Sequence, residues 1–341
     1  MTIRLDSQGQ SSFYKSLVNQ IDTAIHDGTI RPGEMLPSMN GLAASLGISR
    51  ETVKKAYGIL TKRGLIVPRH GKGFYAADMA KSSRPQVLVI FDKLSVYKQP
   101  LFNAFSERLG DEAEITILTH NQSVGLLRYY LDENLDRFDY YVVMPHFPLD
   151  AATQESAIKQ ISRIPNRKLI MLDHLQPGYN GNFGAVYQNF EEDIYTGLSQ
   201  ARDYPWRGSR LRVITLPASL YGGFIRKGIE RFAKENGIRV EFLCEAPDEI
   251  LAGDTFLVLN SQLDTGLVAL ARKIAAAGLA TGSDVRIISY NESDMNELIL
   301  GGLTTVSTDF RKMGQLAAEM ILSRRLEKIH NPFGMNRRHT F

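Results

Sequence analysis

Between Ser49 and Lys72 the chain sets out residue types that suit contact with a polyanion. The Ser49 hydroxyl can cap free backbone N–H groups, and Glu51 in the following turn suits the positive end of a helix dipole, so a helix begins there. Val53, Ala56, Tyr57 and Leu60 recur at helical spacing and define its buried side. Glu51, Lys54 and Lys55 are thereby directed outward, with Arg50 and Thr52 at the leading end. A helix presented in this way fits a major groove, where polar side chains reach base edges and cations meet phosphates.

The charge distribution points the same way. The formal charge of the whole chain is +3 over 341 residues, but residues 1–80 hold ten Lys or Arg against six Asp or Glu, leaving 30 against 31 for the remainder. Within 50–73 the cations Arg50, Lys54, Lys55, Lys62, Arg63, Arg69 and Lys72 face Glu51 alone. Such a patch displaces counterions from nucleic-acid phosphates. A helical protein-interaction module is the plainer alternative for this segment, and it leaves both the charge and the GKG turn unexplained.

The elements that must position these side chains are short. Residues 13–27 place Leu17, Ile21 and Ile25 at spacings of four, an amphipathic helix ended near Gly28. Arg31, Pro32 and Gly33 make a turn, Ser38 can cap a second helix whose buried face is Leu42, Ala43 and Leu46, and Gly47 ends it. After the helix that begins at Ser49, Gly64 closes the element. The apolar pieces LIVP and FYAA then flank the basic turn RHGKG, the pattern of a β-hairpin, or wing.

Over residues 10–76 these features resemble the winged-helix domain of the GntR family of bacterial transcription regulators. Gly28, Pro32, Gly33, Leu36, Pro37, Ser38, Gly47, Ser49, Arg50, Thr52, Val53, Gly64, Gly71, Lys72 and Gly73 stand where that pattern expects them. The resemblance implies DNA contacts from Ser38, Asn40, Ser49, Arg50, Thr52, Lys54 and Lys55. It also implies that His70, Gly71 and Lys72 enter the minor groove from the wing. Two residues depart from the family pattern: Asn40 stands where many relatives carry arginine, and Lys54 replaces the usual arginine of the recognition helix. Lysine is a flexible point charge rather than a planar fork, which weakens bidentate reading of guanine there.

Residues 77–85 read as a polar linker. From 86 to 341 apolar runs such as QVLVIFD, YYVVM, KLIML, LRVITL, TFLVLN and VRIISYN alternate with amphipathic stretches, which argues for parallel sheets covered by helices, with room for two lobes. In such sheets ligands gather at the carboxyl ends of strands, which singles out Asp92, Tyr97, His146, Asp173, Asn260 and Asn291. Each has a structural alternative, as a cap, a loop anchor or a packed ring.

This second part resembles the effector domain of LacI-type regulators, itself similar to periplasmic sugar-binding proteins. VRIISYNES followed by GLTTVSTDFRKMGQLAAEMIL is similar to that family's closing strand, TTV turn and following helix, while LNSQ and IMLDH resemble ligand-bearing strand ends. The resemblance implies a small-molecule effector, most simply a carbohydrate, held between the lobes by Asp92, Tyr97, His146, Asp173, Tyr221, Arg226, Asn260 and Asn291. Ile225 occupies the place of a sugar-gripping arginine, with Arg226 beside it, and Asn291 the place of a frequent aspartate. It also implies crossovers between lobes near 185–190, 301–304 and 325–335.

The chain carries no Gly-x-Gly-x-x-Gly after a strand, no phosphate loop, no His-Glu-x-x-His, no Cys-x-x-Cys and no Gly-x-Ser-x-Gly, and its seven histidines lack metal-ligand spacing. No cofactor, metal or enzymatic activity is therefore expected. The alternative is an enzyme of carbohydrate metabolism fused to a regulatory DNA-binding domain. No apolar run approaches the ~20 residues that span a bilayer, and the polar start lacks a signal-peptide core, which leads us to expect a cytoplasmic protein. The one cysteine, Cys244, in the apolar stretch VEFLC, is expected to pack. The expectation is thus an N-terminal winged helix-turn-helix (α+β), residues 1–76, joined to a two-lobed α/β periplasmic-binding-protein-like domain with parallel sheets. As a homodimer it would bind operator DNA and answer to a sugar, as a repressor.

Overall fold

In the computed structural model the described residues are 10–69, 71–77, 84–201, 203–204, 206, 209–215, 219–259 and 265–341. The chain divides into two compact units, Met1–Arg84 and Pro85–Phe341. In the first unit, helices α1 (Gln10–His26), α2 (Met39–Leu46) and α3 (Arg50–Lys62) precede strands β1 (Ile66–Arg69) and β2 (Gly73–Ala76). Leu17, Ile21, Leu42, Val53, Tyr57, Leu60 and Ile66 form its core. The buried Tyr57 donates its hydroxyl proton to the Pro37 carbonyl at 2.7 Å and meets Phe74 edge-on at 5.0 Å, which locks α3 to the turn before α2 and to the wing. β1 and β2 pair antiparallel, and Leu36 and Glu34 exchange backbone hydrogen bonds with Phe74 and Ala76, so the hairpin is anchored on its second strand.

The second unit contains two sheets, each six-stranded among the described residues. The first lobe has the order β13-β7-β6-β5-β3-β4, from β3 (Gln86–Phe91), β4 (Glu114–Thr119), β5 (Tyr140–Val143), β6 (Leu169–Asp173), β7 (Gly184–Tyr187) and β13 (Lys328–His330), all parallel. Helices α4 (Lys98–Leu109), α5 (Val124–Asn134), α6 (Ala151–Ile161) and α10 (Phe310–Ser323) cover it. The second lobe has the order β14-β12-β11-β10-β8-β9, from β8 (Arg210–Ile214), β9 (Arg239–Leu243), β10 (Asp254–Val258), β11 (Arg286–Tyr290), β12 (Thr304–Thr308) and β14 (Phe333–Asn336). Here α7 (Phe190–Ser199), α8 (Gly222–Asn236) and α9 (Thr265–Ala276) provide the cover. The continuous burial of β6, β10 and β12 is the mark of strands covered on both faces. No helix among the described residues is long and apolar enough to cross a membrane.

Among the described residues three crossings join the lobes: β7 to α7, β12 to α10, and β13 to β14. The middle one falls at 308–310 rather than at the expected 301–304, because the TTVST segment first completes the second sheet as β12 instead of forming a turn. β14 runs antiparallel to β12, so that sheet is not wholly parallel. Asn331 ties the crossings together. Its N–H donates to the Tyr187 carbonyl at 2.8 Å, and its side-chain amide donates to Thr308 Oγ1 at 2.7 Å and to the Asp309 carbonyl at 2.9 Å. Cys244, expected to pack, is exposed just beyond the edge strand β9.

Candidate functional sites

In the first unit, Ser49 caps α3 by accepting the Thr52 N–H at 3.1 Å, and Ser38 caps α2 by accepting that of Gly41 at 3.1 Å. The caps consume these hydroxyls at the helix starts while leaving both serines exposed. Arg50, Lys54 and Lys55 are exposed on α3, Asn40 is exposed on α2, and Gly71 and Lys72 form the exposed wing turn, whose Lys72 N–H donates to the Arg69 carbonyl. His70 lies outside the described residues. Lys54 lies 3.4 Å from Glu51 in an exposed pair, and the Lys55 ammonium stands 4.0 Å over the Tyr14 ring. These contacts are weak enough for a phosphate to replace them. Arg69, not among the expected contacts, stacks 4.4 Å over Tyr75 beside the wing turn.

In the second unit the ends of four strands converge on one buried polar cluster. Asp92 follows β3, His146 follows β5, Asp173 closes β6 and Gln188 follows β7. The Lys98 ammonium, at the start of α4, donates to Asp92 and lies 3.8 Å from Asp173. His146 Nε2 is 2.8 Å from Asp173 Oδ2, and the Gln188 amide donates to the other oxygen of the same carboxylate. Burial alone would raise the Asp173 pKa. The charge and hydrogen bond of His146, the Lys98 ammonium and the Gln188 amide override that and hold the carboxyl well below its ordinary range.

Tyr221, just before α8, reaches this cluster from the second lobe. Its ring stacks on Phe190 at 4.3 Å and 13°, lies 4.7 Å from His174 and meets His146 edge-on at 5.2 Å. Among the described residues its buried hydroxyl has no hydrogen-bond partner, and neither do the Tyr290 hydroxyl, the Gln188 amide oxygen or His174 Nε2. Burial, seconded by the Asp173 and Asp92 carboxylates, pushes the Tyr221 hydroxyl far above the ordinary phenol range, so it is neutral. Burial also lowers His174 to about 4, with the charge of His146 acting in the same direction against that of Asp173. Unpaired buried polar atoms cost ~1–3 kcal/mol each, and their concentration beside an aromatic stack marks a place where hydroxyl groups of a guest could bond. A cavity of about 410 Å³ opens between Pro100 of α4 and the segments that follow β11 and β12.

The structure thus brings Asp92, His146, Asp173 and Tyr221 together. Tyr97 packs in the first lobe's core with Leu101 and Phe105. Arg226 points along the exposed side of α8, bonded to Glu230 at 2.8 Å and lying over Phe242 at 4.2 Å, while Ile225 turns into the core. Asn291 follows β11 with φ 74°, its N–H donating to the Val306 carbonyl and its own carbonyl accepting from the Asn296 amide. Asn260 lies outside the described residues. His174, Gln188, Phe190 and Tyr290 were missed, and Lys98 was seen near the site loops without being counted among the ligand contacts. For Lys98 the spacing from Asp92 was a visible signal, and for His174 its place in IMLDH was another.

Two family models match the chain: bacterial regulatory proteins of the gntR family over residues 13–76, and a periplasmic binding protein-like domain over residues 226–336. The HTH-type transcriptional repressor YtrA of Bacillus subtilis (strain 168) is 28% identical over 99 residues, 29% of this chain and 72% of that protein. The arabinose metabolism transcriptional repressor of Halalkalibacterium halodurans is 28% identical over 142 residues, which span 39% of this chain and 38% of that protein, well under two thirds of its length. Among solved structures, the lac repressor dimer bound to operator and an anti-inducer shares the fold. Its TM-score is 0.58 at 16% identity, covering 77% of this chain and 96% of that one.

Proposed function

Since the chain joins a gntR-family DNA-binding domain to a periplasmic-binding-protein-like domain of LacI type, we infer that it is a transcription regulator, a repressor whose hold on operator DNA is set by a sugar bound between two lobes. The observation that carries this reading is the pairing, in one chain, of the exposed cationic face of α3 with a cleft of orphaned hydroxyl and amide groups. Arg50 and Thr52 reach base edges, Lys54, Lys55 and Lys72 meet phosphates, and Asn40 offers an amide suited to adenine. Asp92, His146, Asp173 and Tyr221 hold the sugar. The protein works as a homodimer on two half-sites, since pairing doubles the buried DNA surface. Its place is the cytoplasm with the chromosome, and it acts by binding rather than by turnover.

Release follows from linkage. The lobes pivot at the three crossings secured by Asn331, and a sugar that favours one lobe arrangement weakens DNA if the operator needs the other. Enrichment of genomic fragments on the immobilised protein tests the DNA half of the reading. Recovery of duplexes that share an inverted repeat is expected, whereas equal retention of all fragments would contradict it.

A further inference from the structure

Resting on the DNA-binding reading of the first unit, we propose that Arg69 is a further DNA contact, a guanidinium that Tyr75 holds ready for a backbone phosphate beside the wing turn. Arg69 ends β1 and pairs with Gly73 in the hairpin register, while Val67 pairs with Tyr75. Side chains alternate across a strand, so Val67, Arg69 and Tyr75 share the outer face, opposite the one on which Phe74 meets the buried Tyr57. Gly73 brings no side chain to that outer face. The Arg69 guanidinium leans diagonally across it and lies 4.4 Å over the Tyr75 ring.

The ring is itself fixed. The Tyr75 hydroxyl donates to the Lys72 carbonyl at 3.3 Å, and the Lys72 N–H donates to the Arg69 carbonyl at 2.9 Å, which closes the turn. On its other edge β2 is held by the Leu36 N–H donating to Phe74, the Ala76 N–H donating to Glu34, and a bridge between Met35 and Tyr75. Arg69 is thus an exposed cation on a rigid platform, and among the described residues no carboxylate pairs with it. Other cations of this unit are engaged: Arg63 lies 3.6 Å from the buried Asp22, and Lys54 3.4 Å from Glu51.

A guanidinium stacked on an aromatic ring keeps its N–H edge free, and that planar edge fits two oxygens of one phosphate. Stacking also removes side-chain freedom that binding would otherwise have to restrict. Arg69 stands on the flank of the hairpin rather than at its turn. A turn narrow enough to enter a groove carries its flanks along the groove walls, where the phosphates are, and not along the base edges. Tyr75 is accordingly a positioning residue, acting on DNA through Arg69.

The test is a salt series of affinity measurements on the full chain with two probes, a mixed-sequence duplex and a duplex enriched from the genome. Arg69→Ala is expected to weaken both by a similar factor of ~5–10 and to lower the slope of log affinity against log salt by about 0.9 for each protomer bound. Arg69→Lys should keep the slope and still lose affinity, since the charge remains and the fork does not. Tyr75→Leu should weaken binding in the wild-type background and add nothing to Arg69→Ala, whereas a ring that merely supported the wing would weaken both backgrounds. Tyr75→Phe keeps the platform and should stay close to the wild type. Unchanged affinity and slope in Arg69→Ala would overturn the proposal. A loss confined to the enriched duplex would assign Arg69 to base edges and overturn the phosphate contact. If the wild-type chain binds neither duplex, the DNA-binding reading falls together with the proposal.

Discussion

Asp173→Asn removes one charge from the centre of the cleft while keeping its shape, and its cost can be worked from the contacts. Three groups lean on this carboxylate: His146 at 2.8 Å, the Gln188 amide, and Lys98 at 3.8 Å. Deleting one partner of a buried ion pair costs roughly 3–5 kcal/mol when the other is left alone. Lys98 keeps Asp92, and the asparagine oxygen still accepts one hydrogen bond, so about 2–3 kcal/mol is expected, or a fall in Tm of roughly 5–10 °C for a unit of this size. The pH dependence has a defined sign. The folded Asp173 pKa is depressed, so its contribution is complete above the ordinary carboxylate value of about 4 and is lost as pH falls through the lower folded value. The gap between wild type and variant should therefore be full at pH 7 and shrink in acid. Trp206, the single tryptophan, is buried in the same unit, so denaturant unfolding followed by its fluorescence reports this unit directly. Equal midpoints at pH 7 would refute the assignment of Asp173 as the charge that organises the cleft.

Other expectations follow from the same contacts. The His174 pKa is pushed down to about 4 from 6.5, so the unfolded chain binds the extra proton between those values; stability is complete above pH 6.5 and up to about 3 kcal/mol is lost as pH falls toward 4. His174→Gln should flatten that slope in urea unfolding, and parallel slopes would show that another group is responsible. Arg50→Ala, at an exposed position, should weaken specific DNA binding ~10-fold or more with thermal unfolding unchanged; operator affinity equal to wild type at matched salt would exclude Arg50 from the interface. Asn331→Ala removes the side-chain bonds to Thr308 and Asp309 and should cost about 1–3 kcal/mol. It should also speed amide exchange around 308–310 and 331, whereas unaltered protection there would mean that the crossings are held by other contacts.

The parts of the fold that were readable from sequence rest on local signals. The α3 start follows from Ser49 and its buried face from a helical period, and both are found in place. Strands covered on both faces leave continuous apolar runs, so β3, β5, β6, β8, β10 and β11 were legible. β13 and β14 were not, because KIH and FGMN are short, half-exposed edge segments whose identity depends on their neighbours. The segment TTV was expected to turn through the family resemblance alone; the complete burial of TTVST between two partner strands decides for a strand.

The candidate site was legible to the extent that it sits at strand ends. Asp92 and His146 follow, and Asp173 closes, parallel strands of one sheet, and parallel order brings such positions together. Arg226 shows the opposite case: one residue along a helix turns a side chain by about 100°, so Ile225 packs inward while Arg226 faces Glu230 and Phe242. Tyr97 was expected at the ligand because it follows β3, yet the turn into α4 points it into the core. Gln188 joins the cluster only through strand order, which no single stretch of sequence contains. The exposure of Cys244 likewise follows from its position beside an edge strand.

The most direct test of a sugar-controlled repressor is a reciprocal titration at fixed salt, in which operator affinity is measured with and without a saturating sugar and sugar affinity with and without saturating operator. The two ratios should be equal, with the sugar weakening DNA binding by the same factor as DNA weakens sugar binding. Operator affinity that stays the same when the sugar-binding unit is saturated would contradict the coupling on which the proposed function depends.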